Sequence, residues 1–280
     1  VRFEVINVAF TAINSHVVLP IAADCASLQG DLWLVYLGNN EVVGPFGAGS
    51  PFGRQSPPLP VLRASLAFKT TRTGQLLDDL IEGLLSKPGP SNTWAGMTMM
   101  LEHQVRESDP QMKRVYAHFQ KNLRDILDLA KAAGTKVIVS TLVANLRDCP
   151  PFGSLHRPDL TEAERAPWEE IYQAGVAAET AGDFEAAIAK FHEASQIDDT
   201  FAELRFRWGR CCLSLGKQSD AKVHFERARD LDTLRFRADG RLNGILREAV
   251  ATAGTPDIRL LDAEAAFAQQ SSDGIAGDQW

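Results

Sequence analysis

The sequence predicts an α/β protein whose parallel β-sheet is interrupted along the chain by a helical repeat. Two observations support this prediction. Apolar runs alternate with segments of helical spacing in the first half of the chain, and a further apolar run lies near its end. Between them, a 34-residue pattern occurs twice. We therefore expect an α/β part over residues 1–152, a helical insertion over 153–253 and the last strand of the α/β part within 254–280.

Four runs are predicted to be strands of this sheet. Each is mostly apolar and rich in β-branched residues or leucine, which is typical of strands that are buried on both faces. They cover residues 3–10, 31–38, 135–143 and 257–263. Because helical segments separate most of them, parallel pairing is expected.

Helical spacing predicts further elements between these runs. Helices are expected over residues 15–28, 59–85, 96–107 and 109–133, with Gly134 ending the last of them. Stretches rich in Gly, Pro and Ser predict surface loops over residues 45–60 and 88–92. Loops at strand ends often carry function.

The insertion contains matched residues 34 positions apart. The pairs are Gly175 with Gly209, Gly182 with Gly216, Ala187 with Ala221, Phe191 with Phe225, Ala194 with Ala228, Ile197 with Leu231, and Asp198 with Asp232. This pattern resembles the tetratricopeptide repeat (TPR), in which small residues let two antiparallel helices pack closely around an aromatic ring. It departs from that family at Ala178 and Cys212, which stand where a Tyr is usual. A helix over 234–253 is expected to cap the repeats, which either support the sheet or bind a protein.

Composition excludes some classes of function. The net charge is −7, and no run of Lys or Arg suits nucleic acid. No stretch approaches the roughly 18 apolar residues of a membrane span, and the start lacks a signal-peptide pattern, so the compartment stays open between cytoplasm and export. The four cysteines lack zinc spacing, which favours buried thiols and leaves a Cys25–Cys149 disulfide open.

Polar residues follow two of the predicted strands. "GNNE", residues 38–41, ends one run, and "NVAFTAINS", residues 7–15, follows another. Ligands of parallel sheets bind beyond the carboxyl ends of the strands. Gly38 would allow a sharp turn, Asn40 would present an amide donor, and the small Ala12 would let a backbone N–H approach a ligand. Two neighbouring donors of this kind can form an oxyanion hole.

These segments resemble two blocks of the SGNH hydrolases, the superfamily of GDSL-type esterases and lipases. Gly38, Asn39, Asn40 and Glu41 match the block Gly-x-Asn-Asp/Glu, which implies that Asn40 is the side-chain oxyanion donor and that Gly38, Asn39 and Glu41 belong to the binding segment. Ala12 stands where the family has a glycine that donates its N–H. The resemblance implies a three-layer, flavodoxin-like sandwich without metal or cofactor.

The resemblance covers residues 1–152 and 254–280. The family's Gly-Asp-Ser and Asp-x-x-His blocks are not found in the sequence, so the nucleophile is expected before Val1 and the histidine beyond Trp280, where Asp278 could supply the acid if a histidine followed directly. The first strand would then be absent, which predicts a gap between residues 3–10 and 32–37 and an inactive fragment.

Internal substitutes for the missing groups are less favoured. Ser15 beside His16 is expected to be a helix N-cap, and Ser140 lies in a predicted strand. Ser154 with His156 in a loop is the better alternative pair. The other histidines, His103, His118, His192 and His224, are expected on helices in structural or surface positions. Phe46 and Phe52 of the Gly-rich loop could line a flexible rim over the site.

The expected function is therefore serine-dependent hydrolysis of a small ester or an acylated glycan, with a possible protein partner on the repeats. The alternative is a non-catalytic binding protein in which a degenerate hydrolase domain and the repeats recruit a protein or glycan partner. A third hypothesis, a scaffold without a ligand, leaves the asparagines at the strand end unexplained.

Overall fold

The structure is a computed structural model that describes residues 3–51, 56–85 and 99–278. These residues form ten helices and three strands. The strands are β1 (Leu32–Val35), β2 (Lys136–Ser140) and β3 (Ile258–Leu261). The helices are α1 (Ser15–Ala26), α2 (Leu59–Lys69), α3 (Arg72–Leu85), α4 (Pro110–Ala132), α5 (Glu162–Thr180), α6 (Phe184–Ile197), α7 (Ala202–Ser214), α8 (Gln218–Leu231), α9 (Gly240–Ala251) and α10 (Ala263–Gln270).

The three strands form one parallel sheet in the order β1-β2-β3, which confirms a mixed α/β fold. Ile138 of β2 pairs with Leu34 on one side and with Arg259 on the other. A hydrophobic core lies between this sheet and the helices α4 and α9, where Phe119, Leu123 and others are buried completely. Because the strands are parallel, their carboxyl ends lie along the same edge of the sheet.

The predicted strand over residues 3–10 is not formed. These residues form neither strand nor helix and lie outside the sheet, and Phe3, Val5 and Phe10 are exposed. Within the described residues, β1 pairs with β2 alone, and Leu34 on β1 is 74% exposed. A β-strand needs a neighbour to bond its backbone, and residues 3–10 have none among the described residues. The gap that we predicted lies between two strands of one sheet, and it stays a prediction because only one of the two strands is formed.

Two helix predictions need correction. The predicted helix over 59–85 is divided into α2 and α3 at Thr70 and Thr71, where the Thr71 hydroxyl accepts a hydrogen bond from the backbone N–H of Gly74. A threonine hydroxyl that accepts a backbone N–H in this way competes with the hydrogen bond that the N–H would make within a helix. The predicted helix over 96–107 is wrong for residues 99–107, which form short turns, and its earlier residues lie outside the described ranges, as does the predicted loop over 88–92.

We predicted a surface loop over residues 45–60, and this prediction is wrong for residues 45–51. Val42 and Ala48 are 3% and 2% exposed. The backbone turns on itself, with N–H donation from Gly47 to the Gly44 carbonyl and from Gly49 to the Val42 carbonyl. Small residues allow this close folding, so the segment packs as part of the core instead of forming a flexible rim.

Helices α5 to α8 form two successive helix pairs with a common packing pattern. A Cβ placed on Gly175 would lie 2.8 Å from the Phe191 ring, and one on Gly209 would lie 3.0 Å from the Phe225 ring. Each glycine therefore lets an aromatic ring of the second helix pack against the first. The turns within both pairs contain a glycine in the left-handed region, at φ +79° for Gly182 and +71° for Gly216.

The helix that we expected to cap the repeats has a different place. α9 begins at Gly240, and its buried residues Leu242, Ile245 and Leu246 lie in the core between the sheet and α4. The prediction is therefore wrong about what this helix covers. Its first backbone N–H donates to Asp230 on α8, so the helix starts at the repeats and continues over the sheet.

Phe225→Ala should destabilise the protein by about 3–5 kcal/mol, because it removes a fully buried ring and leaves a cavity against Gly209. Val223→Ala on the same helix is the control, since Val223 is 62% exposed and its truncation should cost less than about 0.5 kcal/mol. Urea unfolding followed by circular dichroism measures both. Equal effects of the two substitutions would contradict this packing.

Candidate functional site

The candidate site lies where β1 ends, beside the loop that follows β2. Gly38 turns the backbone there with a φ of +139°. A Cβ at this position would lie 2.5 Å from Leu142 Cδ1, so both conformation and space require glycine. Leu142 is fixed by Asn243 of α9, whose amide donates to the Leu142 carbonyl and whose carbonyl accepts from the Leu142 N–H. The two strand ends are therefore held against each other.

The two residues predicted to be oxyanion donors, Asn40 and Ala12, both lie close to Gly44. A Cβ on Gly44 would be 3.2 Å from Asn40 Cβ and 3.3 Å from the Ala12 carbonyl oxygen. Asn40 Nδ2 donates to the Ile13 carbonyl at 3.1 Å. An amide nitrogen carries two hydrogens, and the described residues provide no partner for the second. Ala12 has a φ of +62°, the conformation in which glycine is easiest, so its alanine costs strain.

A buried carboxylate joins these two segments. Glu41 is 3% exposed, and its oxygens accept from the Ser15 backbone N–H at 2.7 Å and from the Ser15 hydroxyl at 2.8 Å. The bond to the N–H satisfies one of the free donors at the start of α1. Glu41 therefore binds the turn after β1 to the first residue of α1.

Asn122 of α4 continues this polar cluster. Its Nδ2 lies 3.0 Å from both the Ser15 hydroxyl and His16 Nδ1, and its carbonyl accepts from Arg63 at 2.7 Å. Arg63 also forms an ion pair with Asp125. The cluster thus extends from the buried Glu41 to the partly exposed end of Arg63 and ties α1, α2 and α4 together.

Burial changes the charge state of this cluster. It raises the pKa of Glu41 to about 7, although the bonds from Ser15 act in the opposite direction. It lowers the pKa of His16 to about 4, and the neighbouring His118 and Arg63 lower it further. His16 is therefore neutral near pH 7, whereas Glu41 is divided between its two forms.

Ser15 and His16 do not form a catalytic pair here. Ser15 is fully buried and engaged by Glu41 and Asn122. The predicted N-cap role is also wrong, because the Asn14 side chain accepts the N–H of His16 and Ser15 is the first residue of α1. An asparagine caps at least as well as a serine, so sequence alone could not choose between neighbours.

The alternative pair Ser154 and His156 is used to attach the repeats. The Ser154 hydroxyl accepts the backbone N–H of Glu203, and His156 Nδ1 lies 2.7 Å from Asp198. No bond joins Ser154 to His156 in the described part of the chain. Ser140 ends β2, where its hydroxyl donates to the Thr141 carbonyl.

Three of the remaining histidines pack against other rings. His118, His192 and His224 lie on helices as predicted, and His103 follows a turn instead. His118 stands edge-on to His16, and His224 stacks on Trp208 at 4.1 Å. Burial lowers the pKa of His224 to about 4, so this ring is neutral.

The Gly-rich loop and the thiols give little support to a site. Phe46 packs edge-on against His16 instead of lining a pocket, and Phe52 lies outside the described residues. All four cysteines are free, so the Cys25–Cys149 pairing is not formed.

The described residues contain neither a metal-binding cluster nor a membrane-spanning helix. No group of three His, Cys, Asp or Glu side chains there could hold a metal ion. None of the described helices combines the length and apolar character needed to cross a membrane. Comparisons of the chain with models of known families, with curated proteins and with solved structures find no match.

Sequence reasoning missed Asn14, Asn122 and Arg63. Asn14 is part of the "NVAFTAINS" segment and could have been weighed as the cap. Asn122 and Arg63 lie on distant helices, and nothing in their local sequence points to Ser15.

Glu41→Gln should become more stable relative to the wild type as the pH rises. The unfolded pKa of Glu is about 4.3 and the folded pKa about 7, so the folded state holds an extra proton between these values. The favourable contribution of Glu41 is complete below pH 4.3 and is lost as the pH rises through 7. Gln resembles the protonated form, so the difference in unfolding free energy between variant and wild type should grow by about 2 to 3 kcal/mol from pH 5 to pH 8.

Urea unfolding at pH 5, 6.5 and 8 measures this difference. Because each comparison is made at one pH, the opposite contribution of His16 cancels. Glu170→Gln, on an exposed face of α5, should show no such trend. A constant difference for Glu41→Gln would mean that Glu41 keeps an ordinary pKa in the fold.

Proposed function

We propose that the protein is a serine-dependent hydrolase of acyl esters, of the SGNH type, in which Asn40 and the backbone N–H of Ala12 stabilise the oxyanion. One observation carries the proposal. The turn after β1 and the segment before α1 meet at the carboxyl edge of a parallel sheet, joined by Glu41 and by the bond from Asn40 to Ile13. This is the edge at which ligands of such sheets bind.

The chemistry follows from the donors. When a nucleophile attacks an ester carbonyl, the carbonyl oxygen becomes an oxyanion, and donors that are already fixed stabilise it without reorganisation. By resemblance, a serine attacks, a histidine takes its proton, and an Asp or Glu orients the histidine. The proposal expects both groups outside residues 1–280. The serine would lie on a strand beside the edge of β1 that has no partner among the described residues, and the histidine on a segment after Trp280. The substrate class is a small ester or an acylated glycan.

The first test is to sequence the coding region on both sides of these 280 residues. A Gly-x-Ser segment at the end of a strand upstream, with an acidic-x-x-His segment downstream, is the expected result. Flanks without either element would overturn the hydrolase proposal. They would favour the alternative, a binding protein whose helix pairs act as tetratricopeptide repeats, for which the shared Gly–Phe packing of the two pairs is the supporting observation.

The second test is kinetic. In the protein translated from that complete coding region, Asn40→Ala should lower kcat for a p-nitrophenyl ester by about 100- to 1000-fold, since one oxyanion donor is lost. Asp24→Ala, exposed on α1, is the control and should leave kcat unchanged. The unfolding midpoint should change little in both variants. An unchanged kcat in Asn40→Ala would remove Asn40 from the mechanism.

A further inference from the structure

The segment that follows α10 is bound to the loop that follows β2. The carbonyl of Ala276 accepts from the backbone N–H groups of Leu146 at 3.0 Å and Arg147 at 3.2 Å. The N–H of Asp278 donates to the Asp148 carboxylate at 2.7 Å. Residues 276–278 and 145–148 therefore form one unit, and 145–148 belong to the segment that follows the carboxyl end of β2.

Side chains strengthen this unit. The Asn145 amide donates to the Asp278 carboxylate, and Arg147 forms ion pairs with Asp148 at 2.9 Å and Asp273 at 3.1 Å. The Asp273 side chain is 11% exposed, which reduces the screening of its pair by solvent.

The repeats hold both parts of this unit through apolar contacts. Ile275 is 1% exposed and Leu146 is 7% exposed, and both belong to the hydrophobic core of α5–α8. That core also contains Tyr172, Phe206 and Trp208, which come from the first helices of the two pairs. Truncating Ile275 would therefore open the interior of the repeats.

A polar chain makes a second connection. The carboxylate of Asp232, which directly follows α8, accepts from Arg237 at 3.0 Å. The same guanidinium donates to the carbonyls of Asn145 at 3.1 Å and Cys149 at 2.8 Å. Asp232 is 2% exposed, and charge-assisted bonds of this kind are among the strongest in proteins.

We propose that the helical repeats are a positioning element for the strand-end site, and that Asp232 and Arg237 are the positioning residues. They fix the loop over 145–148, which in turn fixes residues 276–278. That the strand ends form a site rests on the proposed function, whereas the coupling between the repeats and residues 145–148 and 276–278 does not. Local opening of the repeats at the end of α8 should then also loosen residues 145–148 and 276–278.

The chain contains a matched control. Asp198 occupies the same position in the first pair as Asp232 in the second, and both are 2% exposed. Asp198 binds His156, the backbone N–H of Arg157 and Thr200. Within the described residues it makes no bond to 145–149. Asp198→Asn and Asp232→Asn therefore remove the same charge from equivalent places, and only the second interrupts the connection to the site.

Hydrogen exchange measured by mass spectrometry on the 280-residue chain tests this coupling. In Asp232→Asn, peptides over 144–150 and 272–278 should exchange about tenfold faster than in the wild type, because their local opening becomes easier. In Asp198→Asn the same peptides should stay within about twofold, while the peptide that contains Arg157 exchanges faster. Residues 136–140 of β2 report global opening and should be unchanged in both.

Three results would overturn the proposal. They are unchanged exchange over 144–150 and 272–278 in Asp232→Asn, an equal change there in Asp198→Asn, and an equal acceleration in β2, which would mean that the whole molecule opens together. If Asp232→Asn does not fold by circular dichroism, Arg237→Gln takes its place with the same expectations. Because no ester is involved, failure of this test and failure of the hydrolase proposal are independent.

Discussion

The hydrogen bonds between the Glu41 carboxylate and Ser15 are the interaction on which the candidate site depends. Asn40 precedes Glu41 by one residue, and Ala12 precedes Ser15 by three. When Glu41 accepts from Ser15, only a few backbone torsions separate this contact from Asn40 on one segment and from Ala12 on the other. The bond from Asn40 to Ile13 closes a second, shorter link between the same two segments. The order of the candidate site is thus set by contacts of Glu41 and Ile13, and the proposed donors would be held in place before any substrate binds.

This arrangement is costly. A carboxylate that is 3% exposed loses its hydration, and the pKa of about 7 for Glu41 shows that the two bonds from Ser15 do not fully compensate. An apolar pair at these positions would avoid that cost. Apolar packing, however, is not directional, and it would not orient the start of α1 against the turn after β1. The polar contact therefore favours a defined geometry over maximal stability.

Much of the fold was predictable because its signals are local. The apolar runs predicted β1, β2 and β3. Gly134 was predicted to end α4, and it follows the end of that helix with a backbone in the left-handed region. The turn at residues 38–41 was predicted from Gly38 and the polar residues that follow it. Residues 3–10 were not predictable in this way, because an apolar run reports the capacity to form a strand and not the presence of a neighbour.

The predictions that were wrong or incomplete concern contacts between residues that are distant in sequence. The apolar face of α9 would fit the repeats or the sheet equally well, and its pattern does not say which. The choice is visible only in three dimensions, where Asn243 bonds both backbone groups of Leu142. Asn122 is a similar case, since it reaches Ser15 across more than 100 residues of sequence.

The place of the insertion explains why the repeats reach the site. It separates β2 from β3, and the chain leaves β2 at the carboxyl edge of the sheet, so the first connection to the repeats starts beside Gly38 and Leu142. The chain returns through α9, whose first residue touches α8 and whose Asn243 holds Leu142. Both connections therefore touch the strand ends. Helices α5 to α8 therefore lie, along the chain, between two segments that both contact the carboxyl ends of the strands, and this position underlies the coupling proposed between the repeats and those strand ends.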